Sequence, residues 1–424
     1  MNATAADILI WAISALAAAG VVARPFQLPE AVWAVGGAVL VVILGLLPIT
    51  AAFAGVGKGL DVYLFLVGMM LLSEIARREG LFDWVAAFAV NHANRSPRRL
   101  FLLVYGVGVV VTAFLSNDAA AVVLTPAVFA AARKAKADPL PFLFVCAFIA
   151  NAASFVLPIS NPANLVLYGD HVPALGRWMA SFALPSLLSV VATFGVLRWS
   201  QRAALAGDCE GDVEQPKLSV GGWTALVGLL LTATALLVVS ALDIQLGAPT
   251  CLMGLLTTGV VLIRKRASPW PVLRGVSWSV LPLVAGLFVL VEALDRSGLT
   301  TALASLLRAG VSQSADGAAA AGVMLATVSN LMNNLPAGLI ASATMVQAHA
   351  PQKVVDALLI GVDLGPNLSI TGSLATILWL TAIRREGEAV GFWRFLRVGV
   401  IVMPPALIMA LAARLLLDAP GVAP

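Results

Sequence analysis

The chain is predicted to be an all-α polytopic membrane protein made of two inverted-topology repeats. Each repeat holds five transmembrane helices, one of them broken, plus one re-entrant helical hairpin, for about 10 transmembrane helices and 2 hairpins in all. Three observations predict this. The 424 residues are 60% hydrophobic and 11% charged, with a mean hydropathy of +0.96, against roughly 25% charged in a soluble domain. Apolar stretches of spanning length alternate with short basic loops. The second half also repeats the polar interruptions of the first at a near-constant spacing.

Apolar stretches read against charge give spans near 5–23, 30–48, 61–77, 139–169, 178–197, 221–242, 248–263, 277–294, 354–383 and 398–417. With these spans and their loops, no length remains for a folded soluble domain. Two further stretches, 100–132 and 317–348, are hairpins by length. The first lies between Arg99 and Arg133, so both ends are basic. Two arms of roughly 16 residues reach only about 24 Å, short of the ~30 Å hydrocarbon layer. Residues 1–200 form the N-terminal repeat, 201–220 a cytoplasmic linker and 221–424 the C-terminal repeat. The interval 81–92 is too short to span and is placed along the interface.

With the hairpins returning to the side they enter from, one side of the membrane collects Arg24, Arg77, Arg78, Arg95, Arg98, Arg99, Arg133, Lys134, Lys136, Arg198, Arg202, Lys217, Arg264, Lys265, Arg266, Arg274, Arg384, Arg385, Arg394 and Arg397. Lys58, Arg177, Arg296, Arg308, Lys353 and Arg414 remain on the other. The positive-inside rule makes the richer side cytoplasmic and puts both termini outside. The net charge of +4 is thus spent on orientation; the bases form no single patch, and no nucleic-acid partner is expected. Met1 to Asp7 carry no Lys or Arg, so the first apolar run is expected to stay as a membrane helix. Cys146, Cys209 and Cys251 are widely spaced and imply neither a disulfide framework nor a structural metal. No cofactor is expected.

Gly68, Glu74, Arg78 and Gly80 reappear as Gly286, Glu292, Arg296 and Gly298 at an offset of 218. Thr112 to Asn117 overlay Ser329 to Asn334 at 217, and Ile149 to Leu165 overlay Ile360 to Thr376 at 211. Five spans per half is an odd number, so the second half enters the membrane upside down, as in secondary transporters. Polar residues break four apolar segments at matching places: Ser116-Asn117-Asp118, Ser160-Asn161-Pro162-Ala163-Asn164, Asn333-Asn334-Leu335-Pro336, and Gly365-Pro366-Asn367 continuing to Thr371-Gly372-Ser373. Any one of these Ser or Asn residues could simply be packing glue between helices. Four in symmetric positions point instead to irregular backbone around a shared cavity.

Candidate substrate-binding residues are therefore Ser116, Asn117, Asp118, Ser160, Asn161, Asn164, Asn333, Asn334, Thr371, Gly372 and Ser373. Asn161-Pro162 has the form of a helix N-cap with Pro at the first helical position, and Asn117, Asp118 and Asn334 are expected to cap the return arms. Such starts aim backbone N–H groups at mid-membrane and suit a small oxygen-rich ligand. Asp118 and Asp363 are the candidates for proton coupling, since an ionised carboxylate at that depth costs at least ~2.5 kcal/mol unless paired or neutralised. Each could alternatively cap a broken helix. Glu74 and Glu292 read mainly as helix-end ion pairs with Arg four residues on and a glycine C-cap, with proton coupling as the secondary reading. His92, His171 and His349 read as solvated loop histidines, with a pH-sensing role as the alternative.

At these motifs the sequence resembles the ArsB arsenite and antimonite efflux family of the ion transporter superfamily. The resemblance rests on Phe114-Leu-Ser-Asn-Asp118 with Leu124-Thr-Pro126, Phe148-Ile-Ala-Asn151 leading to Ser160-Asn161, Ser329-Asn-Leu-Met-Asn-Asn-Leu-Pro336, and Gly361-Val-Asp-Leu-Gly-Pro366 with Gly372-Ser-Leu-Ala-Thr376-Ile-Leu-Trp379. It implies proton-driven export of As(III) and Sb(III) across the bacterial cytoplasmic (inner) membrane, with optional docking of a cytoplasmic arsenite-stimulated ATPase subunit. Two departures bear on coupling: Asn151, where relatives can carry Asp, and Asn367, where Lys is expected in some. The chemistry is compatible, because arsenite near neutral pH is the uncharged As(OH)3, which wants donors and acceptors rather than a counter-charge. Thiolates would hold As(III) too strongly for ready release. The alternatives are a sodium- or proton-coupled carboxylate or ion transporter of the same superfamily and, from another class, a membrane-embedded lipid transferase. No DDxxD or H-E-x-x-H supports the latter.

Overall fold

The computed structural model describes residues 3–169, 172–211, 213–310 and 315–416; among them every regular element is a helix. From the N-terminus these are α1 (Ala3–Ala23), α2 (Glu30–Ile43), α3 (Ile49–Lys58), α4 (Leu60–Arg78), α5 (Leu81–Asn91), α6 (Pro97–Leu115), α7 (Asn117–Ala119), α8 (Thr125–Lys134), α9 (Leu140–Ala152), α10 (Pro162–Tyr168) and α11 (Leu175–Ser200). After the inter-repeat segment come α12 (Val220–Ala241), α13 (Gly247–Lys265), α14 (Trp270–Gly275), α15 (Val280–Arg296), α16 (Leu299–Gly310), α17 (Ala315–Met332), α18 (Asn334–Ala348), α19 (Gln352–Leu364), α20 (Leu374–Arg385) and α21 (Phe392–Leu416). With the α7–α8 run matched to the single helix α18, the second series repeats the first element for element.

Local chemistry sets the ends of these helices. Ser96 Oγ accepts from the Arg99 N–H and Pro97 opens α6, while Ser219 Oγ accepts from the Gly222 N–H at the start of α12. Gly80 and Gly298, at φ 75° and 79°, supply the left-handed residue just after α4 and α15. Between α7 and α8 the chain makes a π turn over Ala120–Leu124. Pro126 has no N–H to give a regular helix, and Thr125 Oγ1 donates to the Ala120 carbonyl at 3.3 Å.

Six of the described helices are long and apolar enough to cross a bilayer alone: α1, α6, α11, α12, α13 and α21. The number is seven if α3 and α4, bent by 49°, act as one span. The expected short hairpin arm is corrected here. Because Ser96 caps it, α6 takes in Pro97, Arg98 and Arg99 and runs 19 residues, about 28 Å at 1.5 Å per residue. Three helices escaped the sequence reading: α3, split from α2 by the Gly45 turn, α14 and α16.

The broken helices lie at the centre. Every residue of α9 is buried, as is α19 from Val354 to Leu364, the pattern of a helix apolar on all sides. The outer helices instead turn large apolar side chains outward, such as Leu230 on α12, Leu252 on α13 and Ile408 on α21, as a lipid-facing surface requires. Close backbone approach ties the halves reciprocally. A Cβ on Gly68 of α4 would overlap the Thr250 carbonyl of α13, and one on Gly286 of α15 would overlap the backbone of Ala34 and Val35 in α2. Gly68 and Gly286 are repeat mates, and so are α13 and α2. Small residues at such crossings let membrane helices pack through van der Waals contact.

The described part of the segment expected to link the repeats (201–220) is fastened to the body of the protein as a strap. Cys209 N–H donates to the Arg95 carbonyl at 2.9 Å and Glu210 N–H to the Ala135 carbonyl at 2.8 Å. Asn91 exchanges hydrogen bonds with the Val213 backbone, at 2.9 Å each way. The strap therefore joins the open end of the first hairpin to α5, because its backbone groups find partners that sequence spacing does not reveal. His92 and His349 cap the ends of α5 and α18 and are exposed; His171 lies outside the described residues.

Candidate functional site

Four breaks in the helices converge. Ser116 (φ 105°) and Asn333 (φ 76°), mates at an offset of 217, turn the two hairpins through a backbone region that non-glycine residues rarely adopt. Strain of this kind costs on the order of 1–3 kcal/mol and persists where the surroundings impose it. The turns bring Asn117, the first residue of α7, and Asn334, the first of α18, to one narrow crevice. Asp118 and Asn161 complete its polar wall, and Leu66, Pro162, Val280, Leu335, Leu374 and Ala375 form the apolar remainder.

Caps hold this arrangement. Asn161 Oδ1 accepts from the Ala163 N–H at 3.0 Å and starts α10; Ser373 Oγ accepts from the Thr376 N–H at 3.1 Å and starts α20. The two caps lie 212 residues apart (373 − 161), one more than the offset of 211 expected for this segment. Capping of the return arms also falls one residue earlier than expected. Asn333 Oδ1 accepts from the Leu335 N–H at 3.2 Å, which leaves Asn334 to face the crevice, and its N–H donates to the Gly372 carbonyl at 2.9 Å. Ser116 makes no side-chain cap bond. Helix starts thus face the crevice, with α18 and the run from Asn117 to Lys134 long enough to contribute a dipole.

The two acids differ in placement. Asp118 lines the crevice and is partly exposed. Asp363 is fully buried behind it, its Oδ1 accepting from Asn161 Nδ2 at 2.7 Å while its Oδ2 has no hydrogen-bond partner in the protein. Asn117 Oδ1 is likewise buried and unpartnered. Unsatisfied atoms of this kind are uncommon and mark places where function competes with stability. The repeat mate of Asp363 at the offset of 212 is Asn151, an uncharged amide. Its Nδ2 donates to Asn367 Oδ1 at 3.0 Å, and Asn367 Nδ2 donates to the Phe148 carbonyl at 3.0 Å. The two departures noted in the sequence therefore touch each other.

Several predicted site residues sit beside the crevice and hold its walls. Ser160 Oγ donates to the Ala113 carbonyl at 3.1 Å, tying the α10 break to the first hairpin. Asn164 Nδ2 donates to the Ser154 carbonyl at 2.9 Å, turned into the loop before α10. Thr371 Oγ1 donates to the Asn330 carbonyl at 3.0 Å. A Cβ on Gly372 would collide with Pro366. Glu74 binds Arg77 at 2.7 Å and Arg78 at 3.3 Å, and Glu292 binds Lys58 at 2.6 Å and Arg296 at 2.9 Å, both near helix ends and apart from the crevice. Asn330 was missed. Its Nδ2 donates to the carbonyls of Ala326 and Gly365, and its Oδ1 accepts from Ser369, stapling the α19 break to α17. A lone amide in the middle of an apolar arm was the available signal. Asp356, also missed, is fully buried but paired, with Arg414 at 2.6 Å and Tyr168 Oη at 2.9 Å. No group of three or more His, Cys, Asp or Glu residues that could hold a metal occurs among the described residues.

An all-helical membrane protein whose interrupted helices meet at a polar crevice belongs to the class of transporters. A family model described as citrate transporter matches residues 8–362. The arsenical pump membrane protein of Escherichia coli (strain K12) is 30% identical over 366 residues, covering 82% of this chain and 84% of that protein. That of Yersinia enterocolitica is 28% identical over 364 residues with the same coverage. Among solved structures, the Alcanivorax borkumensis YdaH transporter, described as having an unusual topology, aligns over 87% of both chains with a TM-score of 0.58 and 16% identity, a likeness of fold. The chain belongs to this citrate-transporter family of ArsB-like ion transporters.

Proposed function

We propose that this protein is a secondary active exporter of arsenite and antimonite, carried as neutral trihydroxides and exchanged for protons by alternating access. The reading rests on the crevice wall: three amides, one carboxyl group, apolar surface and no Lys or Arg. Three hydroxyls on a pyramidal centre can be met by amide donors and acceptors without a counter-charge. Cysteine ligation is not part of the reading, since Cys146 and Cys209 are buried and apart, and Cys251 lies on α13. Burial, and then the nearby Asp208 charge, raise the pKa of the Cys209 thiol in the strap, keeping it protonated and a poor ligand.

A neutral cargo gains nothing from the membrane voltage, so uphill export needs a charged partner. One proton moving inward supplies about 2.3 kcal/mol per 100 mV, roughly a fiftyfold gradient. Asp118 and Asp363 are the proposed proton carriers. The proposed inverted topology agrees with five ion pairs among the described residues, each joining groups assigned to one side: Arg133 with Glu388, Lys136 with Glu210 and Lys265 with Glu79 at the proposed cytoplasmic face, and Lys58 with Glu292 and Arg177 with Asp243 at the other. On this reading the protein sits in the bacterial inner membrane with both termini outside.

A second reading, a sodium- or proton-coupled carboxylate carrier, is favoured by the family model's description. It would set a polyanion beside Asp118 with no cationic side chain in the crevice wall, an arrangement that electrostatics opposes. Everted membrane vesicles decide between them. Acidifying the vesicle interior should drive sodium-independent arsenite accumulation that a protonophore abolishes. Sodium-dependent uptake, or uptake of citrate in place of arsenite, would overturn the proposal. ATP added to vesicles held without a proton gradient reveals whether an ATPase subunit also drives the pathway.

A further inference from the structure

We propose that Asn161 is the positioning residue that links the protonation state of Asp363 to the cargo crevice. The inference rests on the proton-coupled reading above and adds the connection between its two sites. Asp363 does not line the crevice; Asn161 does. One carboxamide serves both. Its Oδ1 accepts from the Ala163 N–H at 3.0 Å, fixing the start of α10, while its Nδ2 donates to Asp363 Oδ1 at 2.7 Å. With Oδ1 held by the cap, the second N–H of Nδ2 is the group left to meet an oxygen in the crevice.

A hydrogen bond to an ionised acceptor is roughly twice as strong as a neutral one. While Asp363 is a carboxylate, it holds the Asn161 amide firmly. When a proton arrives on Oδ2, the oxygen without a hydrogen-bond partner, the bond to Oδ1 becomes a neutral one, the second N–H loses its fixed aim into the crevice and cargo is released. The converse follows by linkage: cargo held by the positioned amide favours the ionised acid and disfavours the proton, as exchange requires. Proton and cargo thereby act on the same side chain through different atoms.

Other titratable groups on the elements packed against α19 are engaged or distant. On α10 and α21, Tyr168 and Arg414 both bind Asp356, seven residues before Asp363 (363 − 356) on α19 itself. Arg394 and Arg397 of α21 and Asp316 of α17 are exposed. Lys353 lies in the first turn of α19, ten residues before Asp363 (363 − 353). Cys146 of α9 is hydrogen-bonded with Thr125. The helix α18 and the 3-10 turn Gly365–Leu368 carry no titratable side chain. Asp118 shares the crevice with Asn161. The Ser154 hydroxyl also faces the Asp363 carboxylate, but it donates to the Asn151 carbonyl at 2.7 Å, whereas Asn161 donates to Asp363 itself and also lines the crevice.

The repeat supplies the test substitution. Ser373 occupies the mate position and caps α20 with its hydroxyl, so Asn161→Ser can keep a capping oxygen while removing the donor to Asp363. Infrared difference spectroscopy on the lipid-reconstituted full chain reads the carbonyl stretch of a buried protonated carboxyl group as a function of pH, without any cargo. The band assigned to Asp363 should vanish in Asp363→Asn. A carboxylate deprived of its donor takes up its proton more readily, so in Asn161→Ser the band should persist to a pH about one to two units higher. It should stay in place in Asn334→Ser, which removes a crevice amide that does not touch Asp363.

An unchanged midpoint in Asn161→Ser, or an equal shift in Asn334→Ser, would overturn the proposal, as would a wild-type band that never titrates. If Asn161→Ser fails to reconstitute, Asn161→Thr gives the same readout. In wild type, saturating arsenite should itself move the midpoint downward, and its failure to do so would also count against the link. Because the spectroscopic titration needs no transport, a protein that carries another cargo would still answer the question of Asn161.

Discussion

Two buried acids seven residues apart on α19 show how a single side chain acquires a task. Asp356 meets Arg414 and Tyr168, so its charge is balanced; removing one partner of such a pair typically costs about 3–5 kcal/mol. Asp363 has no cationic partner among the described residues; the neutral Asn161 amide donates to it, the Ser154 hydroxyl faces it, and its second oxygen has no geometric hydrogen bond. A charge held this weakly in a buried site can be given up. Asp363→Asn preserves shape and one acceptor while removing the titratable proton. It should leave the protein inserted and monodisperse, and lower proton-driven arsenite accumulation in everted vesicles to the level seen with a protonophore. Wild-type rates in this variant would remove Asp363 from the coupling.

Among the elements, the crossing of α4 with α13 and its mate crossing of α15 with α2 govern how the outer helices bracket the broken ones. Both depend on a glycine that admits the backbone of the neighbouring helix. Gly68→Val forces these backbones apart, an overpacking that costs on the order of 1–3 kcal/mol or more. Thermal unfolding of the purified protein in detergent should show a clear loss of stability. Gly106→Val, on an exposed face of α6 with open space around it, should unfold close to wild type. The sequence displayed Gly68 and Gly286 as repeat mates, yet it could not say which helix each one admits, because that choice is made by contacts more than 180 residues apart in the chain (250 − 68).

For the whole molecule, sidedness and independence from thiols can be checked together. A variant with Cys146, Cys209 and Cys251 replaced by Ala or Ser should still confer arsenite resistance on a sensitive bacterium; loss of transport would point to sulfur ligation instead. On that background, Lys136→Cys and Arg177→Cys place thiols at exposed positions in loops proposed to face opposite sides. Their surface ion pairs contribute little to stability. A membrane-impermeant maleimide should label Arg177→Cys in intact spheroplasts and Lys136→Cys only in everted vesicles. Labelling of both from one side would refute the proposed topology.

Much of this was readable from residue order. The apolar composition, the alternation of basic loops and the recurrence of Asn, Ser, Gly and Pro at matched intervals dictate a helical membrane protein with broken helices, since backbone polar groups in lipid must be satisfied internally. Asn161-Pro162 announced its cap for the same local reason. Local patterns could not assign work among the polar residues. Asn164 and Thr371 looked as suited to cargo as Asn117 and Asn334, but Asn164 turns back onto the carbonyls of its own loop and Thr371 onto α17, while the meeting of distant segments turns Asn117 and Asn334 toward the crevice. The strap across the first hairpin, the amide pair of Asn151 with Asn367 and the Asn161–Asp363 bond are likewise products of packing. Hydrogen bonds between groups some 200 residues apart leave no periodic trace in a chain, whereas the preference of a backbone for lipid or for water is recorded in every turn of it.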